Sequence, residues 1–388
     1  MKTVMEENAL KKIRILGYND SNNGSCLLSW TISQLLSNYF PEYDVKLLDY
    51  APFNRRLLEM LRIFRPHIGN PLFNLKRHLV ISKWIRKTLP IESFEPFSIT
   101  EFIKNQKFDV VVVAKPSWDI TNEWSLRGFP TAFWLPQDLP SRKVAFSVSA
   151  HRSIPSLVNK HSNEVRKILD SFSLIGVRDD WTYEIVSSSK THTPIWKIPD
   201  PVFMYKFIET DIDSVLQEKG FDLKRPMVAF AAYGRNEIFR ELANHFRRIN
   251  YQILGLSMFN PYVDANLGDV LDPFQWADIF RRLSFCITDR YHAIIMSLLV
   301  NIPFVSIEPY KVADRRNSKI YDLLKSIGQT DCYADIYRDD FHIMELIEKI
   351  ESLRTNWRGS YTNSVYRSLH EKKSEIKLFI DRMQEIVS

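Results

Sequence analysis

The chain has 388 residues, more than a single hydrophobic core usually serves, and its 45% hydrophobic content is ordinary for a globular protein, so two domains are expected. Its three widely spaced cysteines, Cys26, Cys286 and Cys332, fit neither a disulfide framework nor a paired metal-ligand motif. The net charge of +6 is local: residues 51–90 alone carry +8 and the remainder sums to −2, which argues against a general nucleic-acid-binding surface.

The N-terminus and the longest apolar stretches bear on localisation. The first ten residues, MKTVMEENAL, are mostly polar and lead directly into a strand-like run, so no cleavable signal peptide is predicted. The apolar stretch at 294–300 is interrupted by Ser297 and falls well short of a membrane span. We therefore expect a protein of the reducing cytoplasm.

Short apolar runs bounded by turn residues recur along the chain, with stretches of helical pattern between them. The first half contains IRILGY at 13–18, VKLLDY at 45–50, DVVVVA at 109–114, KVAFSVS at 143–149 and SLIGVRDD at 173–180. The second half contains PMVAFAAYG at 226–234, YQILGLS at 251–257, FCITDR at 285–290 and PFVSIEP at 303–309. Continuous apolar runs are typical of parallel strands that are buried on both faces. The sequence therefore predicts an α/β fold with two such units in series.

A basic segment at 51–90 interrupts the strand pattern of the first unit. Its charges alternate with Leu, Ile, Phe and Trp84, as in RRLLEMLRIFR and HLVISKWIRK, which predicts a helical insertion. Three interpretations remain open. The insertion packs its apolar side on the N-terminal domain with its charges in water, it forms a lid over the acceptor cleft, or it lies on an anionic membrane surface.

The pattern also predicts the domain boundaries. Asp200-Pro201 disfavours regular structure, and the acidic segment that follows is typical of a solvated linker, so we place the linker near 200–222. The N-terminal Rossmann-like domain then covers 1–205 and the C-terminal one covers 220–350. Residues 351–388 are predicted to form a helical tail, since their end alternates charged and apolar residues at helical spacing.

Cationic side chains follow several of the predicted strands. Arg178 follows SLIGV, Arg290 and His292 lie in TDRYHA before a helical run, and Lys319 begins a predicted helix after PFVSIEP. In open parallel sheets, ligands bind beyond the carboxyl ends of the strands, where helix N-termini present free N–H groups to anions. Arginine binds phosphate and carboxylate groups through paired hydrogen bonds, and histidine transfers protons near neutral pH. The sequence thus predicts that these groups converge on an anion.

The order of four motifs resembles that of the polysaccharide pyruvyl transferase family. The motifs are GVRDD at 176–180, PDPVF at 199–203, TDRYHA at 288–293 and SKIYDLLKSIG at 318–328. The resemblance implies two Rossmann-like domains in a GT-B-like arrangement, with the donor in the cleft between them. It also implies transfer of a pyruvyl group from phosphoenolpyruvate to two hydroxyls of one sugar in a cell-surface polysaccharide or its precursor, as a cyclic ketal.

Carried over by position, the resemblance assigns two groups of residues. Those that bind or activate the donor would be His292, Arg290, Arg178 and Lys319, and those that contact substrate would be Asp289, Ser149, Asn23 and Gly24. The partners would be phosphoenolpyruvate and a sugar or lipid-linked oligosaccharide; no cofactor, metal or nucleic acid is implied. We expect a cytoplasmic enzyme, with peripheral contact with the inner face of the membrane through 51–90.

Departures from the family pattern leave two other functions open. A Gly-acid pair is usual where this chain has Gly24-Ser25, and an acid is usual where it has Gln275-Trp276. One alternative is a nucleotide-sugar glycosyltransferase of the GT-B type, which needs a carboxylate for the ribose, although no Asp or Glu occurs between Asp289 and Glu308. The other is a non-catalytic relative that binds a carbohydrate or an anion.

Overall fold

The structure is a computed structural model of the chain. The structure describes residues 10–17, 22–49, 70–92, 103, 108–114, 132–150, 162–232, 237–309, 311 and 318–387. The first half of the predicted basic insertion, residues 51–69, lies outside these ranges.

A seven-stranded parallel sheet forms the N-terminal part of the fold. Its strands are β1 Lys11–Gly17, β2 Tyr43–Asp49, β3 Ile91–Glu92, β4 Val110–Val113, β5 Arg142–Val148, β6 Leu174–Val177 and β7 Ile195–Lys197. The strand order is β3-β2-β1-β4-β5-β6-β7. The chain therefore reverses its direction of winding between β1 and β4.

A six-stranded parallel sheet repeats this plan in the C-terminal part. Its strands are β8 Met227–Ala231, β9 Gln252–Gly255, β10 Ala265–Asn266, β11 Phe285–Thr288, β12 Phe304–Ile307 and β13 Tyr333–Ala334. The order is β10-β9-β8-β11-β12-β13, so the reversal lies between β8 and β11. This confirms the predicted α/β fold with two doubly wound sheets, and each of the nine apolar runs contains one of the strands.

Helices cover both sheets. In chain order they are α1 Asn23–Tyr39, α2 Pro71–Thr88, α3 Ser162–Asp170, α4 Asp180–Ser188, α5 Ile212–Glu218, α6 Glu237–Arg248, α7 Pro273–Asp278, α8 Tyr291–Leu299, α9 Lys319–Ser326, α10 Ile343–Asn356 and α11 Thr362–Val387. Short 3-10 helices lie at Ala132–Trp134, Pro201–Met204, Ile279–Arg282 and Thr330–Cys332, and a π-helical turn at Trp357–Tyr361 precedes α11.

The last helix, α11, starts on the C-terminal sheet and ends on the N-terminal one. Near its start, the Ser368 hydroxyl donates to the carbonyl of Ile327 at 3.1 Å. Further along, the ring of Phe379 packs edge-on against Phe146 of β5 at 5.0 Å between centroids. At its end, Gln384 Nε2 donates to the Tyr39 carbonyl at 2.7 Å. The tail therefore joins the two sheets.

Helix α2, the described half of the basic insertion, also crosses between the two parts of the fold. Its buried Phe73 and Trp84 pack against aromatic residues of the C-terminal part, at 6.0 Å from Phe259 and 5.0 Å from Phe274 between ring centroids. Arg77 Nη1 adds a hydrogen bond to the Ser257 carbonyl at 3.0 Å. Residues of the C-terminal part thus pack on the apolar side of this helix.

Two carboxylates meet at the border between the parts. Lys197 Nζ bonds to Asp180 of α4 and lies 3.6 Å from Asp322 Oδ1 of α9. Burial and the neighbouring Asp180 raise the pKa of Asp322 to about 6, although Lys197 opposes the shift. The two carboxylates therefore share one proton at mildly acidic pH, and both are ionised at higher pH.

This pair predicts a pH-dependent contribution to stability. A carboxyl whose pKa is raised on folding destabilises the native state at pH above its folded pKa, about 6 for Asp322, and has no such effect below its unfolded value. We expect Asp322→Asn to raise the free energy of unfolding by about 1–2 kcal/mol at pH 8, and to change it little at pH 3, below the ordinary aspartate pKa of 3.8.

The measurement is thermal unfolding of wild type and variant across this pH range. Glu348→Gln, on the exposed side of α10, is the control and should give curves parallel to wild type. A difference between wild type and Asp322→Asn that stays constant with pH would rule out the shared proton.

Candidate active site

Helix N-termini from both parts of the fold meet at the border between the sheets. The first turn of α1 touches α8 where Gly24 abuts His292. Helix α4 follows Arg178, whose guanidinium lies over the ring of Tyr291 at the start of α8. The start of α4 also meets α9 through Asp180 and its shared Lys197. The N-termini of α1, α4, α8 and α9 thus lie near one another, and the positive dipole ends of these helices favour an anion there.

A buried carboxylate, Asp200, lies at the centre of this region. Its side chain is 1% exposed, and its Oδ2 accepts a hydrogen bond from Arg178 Nη1 at 2.9 Å. The same oxygen lies 3.4 Å from His292 Nε2. Burial alone would raise the pKa of Asp200, but His292 and Arg178 outweigh it and lower the pKa to about 2. The carboxylate is therefore ionised and connects a cation of the N-terminal part with the histidine of the C-terminal part.

Local sequence fixes Asp200 in this place. Its Oδ1 caps the 3-10 turn that follows, accepting a hydrogen bond from the Val202 N–H at 2.9 Å. Pro201 suits the first position of such a turn because it needs no N–H partner there. Val202 and Phe203 are completely buried and anchor the turn in the core. The Asp-Pro segment, where the predicted linker begins, is thus buried in this cluster.

Arg178 is buried, and Tyr291 covers its planar face. The guanidinium carbon lies 4.2 Å from the centroid of the Tyr291 ring, which is a cation–π contact between the two parts of the fold. Burial raises the pKa of the Tyr291 hydroxyl well above its usual value despite the nearby Arg178. Arg178 Nε is buried with no hydrogen-bond partner. Arg178 therefore keeps one N–H group without an acceptor among the described residues, even though Asp200 neutralises the charge of its side chain.

His292 is wedged between Asp200 and the first turn of α1. A Cβ added at Gly24 would come within 2.6 Å of the His292 Cβ and Cγ atoms, so only glycine fits there. Asn22 caps α1 by accepting a hydrogen bond from the Gly24 N–H at 3.0 Å. The neighbouring Asn23 is buried, and its Oδ1 has no hydrogen-bond partner. Three predicted residues, Asn23, Gly24 and His292, are therefore brought together.

The turn that carries Arg290 is held by Thr288. The buried Thr288 hydroxyl donates to the Ala231 carbonyl at 2.8 Å and accepts a hydrogen bond from the Arg290 N–H at 2.8 Å. The Arg290 side chain is a quarter exposed, and its Nε lies 3.0 Å from Asp289 Oδ1. Arg290 is thus the more accessible of the two predicted arginines.

The two remaining predicted residues sit on the border of this cluster. Lys319 is the first residue of α9, one turn before Asp322, so it lies at the end of α9 that meets α4. Ser149 is 0% exposed, and its hydroxyl donates to Asp179, which caps α4. A direct contact of Ser149 with substrate stays a prediction. In the structure, Ser149 holds the side chain of Asp179, the residue that caps α4.

The family follows from the sequence as a whole. The sequence profile of the polysaccharide pyruvyl transferase family matches residues 22–309, which is most of the chain and includes nearly all of the cluster. This chain belongs to the polysaccharide pyruvyl transferase family. The predicted resemblance is therefore confirmed. No curated protein sequence matches the chain significantly.

Solved structures with similar folds are glycosyltransferases and epimerases. The Neisseria meningitidis UDP-GlcNAc 2-epimerase bound to UDP-GlcNAc has a TM-score of 0.55 at 10% identity, with 96% of this chain and 100% of that chain covered. A Siraitia grosvenorii UGT transferase in complex with UDP has a TM-score of 0.52 at 10% identity, covering 97% and 99%. The wall teichoic acid polymerase TagF has a TM-score of 0.53 at 9% identity, covering 97% and 88%. At such identities the likeness defines the fold, a GT-B-like pair of Rossmann-like domains.

Two members of the cluster in this pyruvyl transferase family protein were not predicted as site residues. Asp200 was recognised only as part of the PDPVF motif, and Tyr291 only as a letter within TDRYHA. The sequence does contain a signal for Asp200. An acidic residue that precedes Pro and two large apolar residues is typical of a cap on a buried turn, because the first N–H groups of such a turn need a side-chain acceptor.

Within the described ranges, no group of three or more His, Cys, Asp or Glu side chains is arranged to hold a metal, and no helix is long and apolar enough to span a bilayer.

The contact between Gly24 and His292 predicts the effect of one methyl group. In an ordinary helix position Gly→Ala stabilises by about 0.5–1 kcal/mol. Here we expect Gly24→Ala to destabilise the protein by about 1–2 kcal/mol, and to lower activity at least tenfold, because the new Cβ displaces the imidazole.

The matched control is Ser25→Ala, one residue further along the same turn and only partly buried. It should leave both thermal stability and turnover near wild type. If Gly24→Ala is as stable and as active as Ser25→Ala, the histidine is not held against α1.

Proposed function

We propose that this protein transfers the pyruvyl group of phosphoenolpyruvate to two hydroxyls of a sugar, forming a cyclic ketal. The observation that carries the proposal is the meeting of four helix N-termini with Arg290, Lys319 and the Asp200–His292 pair at the border between the domains. Family membership adds to it. The donor would lie in the cleft between the two Rossmann-like domains.

The charge of the region suits a small, highly charged donor. Phosphoenolpyruvate carries close to three negative charges in a compact volume, and Asp200 already balances Arg178. Arg290 and Lys319, together with the helix ends, therefore supply the attraction for its phosphate and carboxylate. Groups fixed in this way stabilise charge that develops on the departing phosphate without having to reorganise.

The proposed reaction needs one proton donor and two proton acceptors. The methylene carbon of the donor takes a proton and becomes a methyl group, while one sugar hydroxyl bonds to the adjacent carbon and loses its proton. The second hydroxyl then bonds to the same carbon, the carbon–oxygen bond to phosphate breaks, and the hydroxyl proton leaves with the phosphate. The sum is a ketal carboxylate and hydrogen phosphate, so atoms and charge balance.

His292 is the candidate for the proton transfers. Its Nε2 faces Asp200, which leaves Nδ1, beside Gly24, as the nitrogen that would serve the substrate. Asp200 would act as a positioning residue, since its ionised carboxylate lies 3.4 Å from Nε2 and fixes the orientation of the ring. The arrangement is that of a general acid or base held by a buried carboxylate.

The proposal includes the acceptor and the place of reaction. The acceptor would be a sugar of a cell-surface polysaccharide or a lipid-linked oligosaccharide precursor, and the enzyme would work in the cytoplasm at the inner face of the membrane. This part rests on the family and on the basic segment at 51–90.

The donor is tested by ligand-dependent thermal stability. A ligand that binds only the folded protein raises its melting temperature. We expect phosphoenolpyruvate to raise the melting temperature of the wild type and of Arg282→Ala, whose arginine pairs with Asp213 on the surface. The shift should vanish in Arg290→Ala. Stabilisation by a uridine-diphosphate sugar instead would indicate a nucleotide-sugar glycosyltransferase.

Turnover is tested by release of phosphate in the presence of sugar acceptors. We expect His292→Gln to lower the rate at least 100-fold, while its melting temperature still rises with phosphoenolpyruvate. His245→Gln is the control, because His245 also pairs with a carboxylate, Glu351, at 2.9 Å in another part of the C-terminal domain. An unchanged rate in His292→Gln would remove the histidine from the mechanism. Binding without phosphate release from wild type with any sugar would indicate a non-catalytic relative.

A further inference from the structure

Helix α2 presents an outward face that its packing leaves uncovered. The buried side chains Phe73, Ile81 and Trp84 define its inner face. The exposed side chains recur at the spacing of the opposite face, three or four residues apart: Leu72, Lys76, Leu79, Lys83, Arg86 and Lys87. Residues three and four apart share one side of a helix. We call these six residues the outer face of α2.

The outer face combines four cations with two exposed leucines. Leu72 is 59% exposed and Leu79 is 58% exposed, on either side of Lys76. The sequence of α2, PLFNLKRHLVISKWIRKT, contains no acid. Lys76 lies close enough to Asp269 to oppose the rise that burial causes in the pKa of that carboxyl. A solvated helix face normally carries both positive and negative side chains. Four cations without an acid on the same helix indicate an anionic partner, and the two exposed leucines indicate that this partner has an apolar layer beneath its charged surface.

From this pattern, we propose that the outer face of α2 docks this protein on an anionic lipid bilayer, with the helix lying in the plane of the interface. Lysine and arginine contact lipid phosphates while Leu72 and Leu79 enter the headgroup boundary. The inner face is fixed to the protein by Phe73, Trp84 and Arg77, so docking needs no folding of the helix.

The inner face of α2 is connected to the site by a short chain of aromatic contacts. Trp84 packs on Phe274 at 5.0 Å between centroids, and Phe274 packs on Trp30 of α1 at 5.3 Å. Trp30 lies about 9 Å along the helix axis from Gly24, at a rise of about 1.5 Å per residue. Helix α2 is therefore fixed to the helix whose first turn borders the cleft, where the proposed function would present a lipid-linked sugar.

The test is co-sedimentation of the full chain with vesicles in 0.1 M salt. Vesicles of phosphatidylcholine alone are compared with vesicles that contain 30% phosphatidylglycerol. We expect binding to the anionic vesicles only, and weakening by added salt. Replacing Lys76, Lys83, Arg86 and Lys87 by Gln should lower the partition coefficient at least tenfold, since each cation near an anionic surface contributes about fivefold. Leu72→Ser with Leu79→Ser should lower it about threefold or more.

A matched control uses α11, which also exposes a leucine beside cations but mixes them with acids. Replacing Arg367 and Lys377 by Gln and Leu378 by Ser should leave vesicle binding within twofold of wild type. All of these positions are on the surface, so melting temperatures and the shift with phosphoenolpyruvate should be unchanged. A failure to bind vesicles is thus distinguishable from a failure to bind the donor.

Three results would overturn the proposal. The first is absence of binding to anionic vesicles, and the second is equal binding to neutral ones. The third is binding that the leucine variant leaves unchanged and that dextran sulfate displaces completely, which would make the outer face a site for a soluble polyanion.

Discussion

The buried carboxylate of Asp200 is the interaction on which the arrangement of the two domains at the site depends. It holds Arg178 of one domain at 2.9 Å and lies 3.4 Å from His292 of the other. Taking such charges out of water costs several kcal/mol per ion, and their mutual attraction roughly offsets this only when the geometry is good. Removing one partner would leave an unbalanced buried charge. The cluster therefore gives the cleft a defined geometry rather than a large net gain in stability.

Most of the fold could be predicted from hydrophobic patterning. Nine apolar runs became nine strands because a strand buried on both faces leaves a continuous apolar signal. The strands that were missed, Ile91–Glu92, Ile195–Lys197, Ala265–Asn266 and Tyr333–Ala334, have two or three residues each and lie toward the sheet edges. Such segments are too short to show any period, and only pairing with a neighbour makes them strands.

The site could be predicted only in part, for a related reason. Strand-end position identified Arg178 and His292 as neighbours of a cleft, because the carboxyl ends of parallel strands share one edge. The role of Asp200 was not predictable, since it depends on which residues of two distant segments reach the same oxygen. The packing of α2 could not be predicted either. Its amphipathic pattern left packing on the N-terminal domain, a lid and a membrane surface open, and it did not show that Phe259 and Phe274 of the other domain cover its apolar side.

Two helices cross between the domains in opposite directions, and this bears on how the cleft works. Helix α2 belongs to the N-terminal half and packs on Phe274, while α11 belongs to the C-terminal end and packs on Phe146. Large relative motions of the domains would have to break both aromatic contacts together with the Arg178–Tyr291 contact. Because packed interfaces shift between discrete arrangements rather than deforming continuously, this architecture does not favour a gradual opening of the cleft. Gly24 fits that interpretation. Because the start of α1 has no side chain at this position, His292 of the other domain can approach it closely. Such a contact can persist only if the two domains keep a fixed distance.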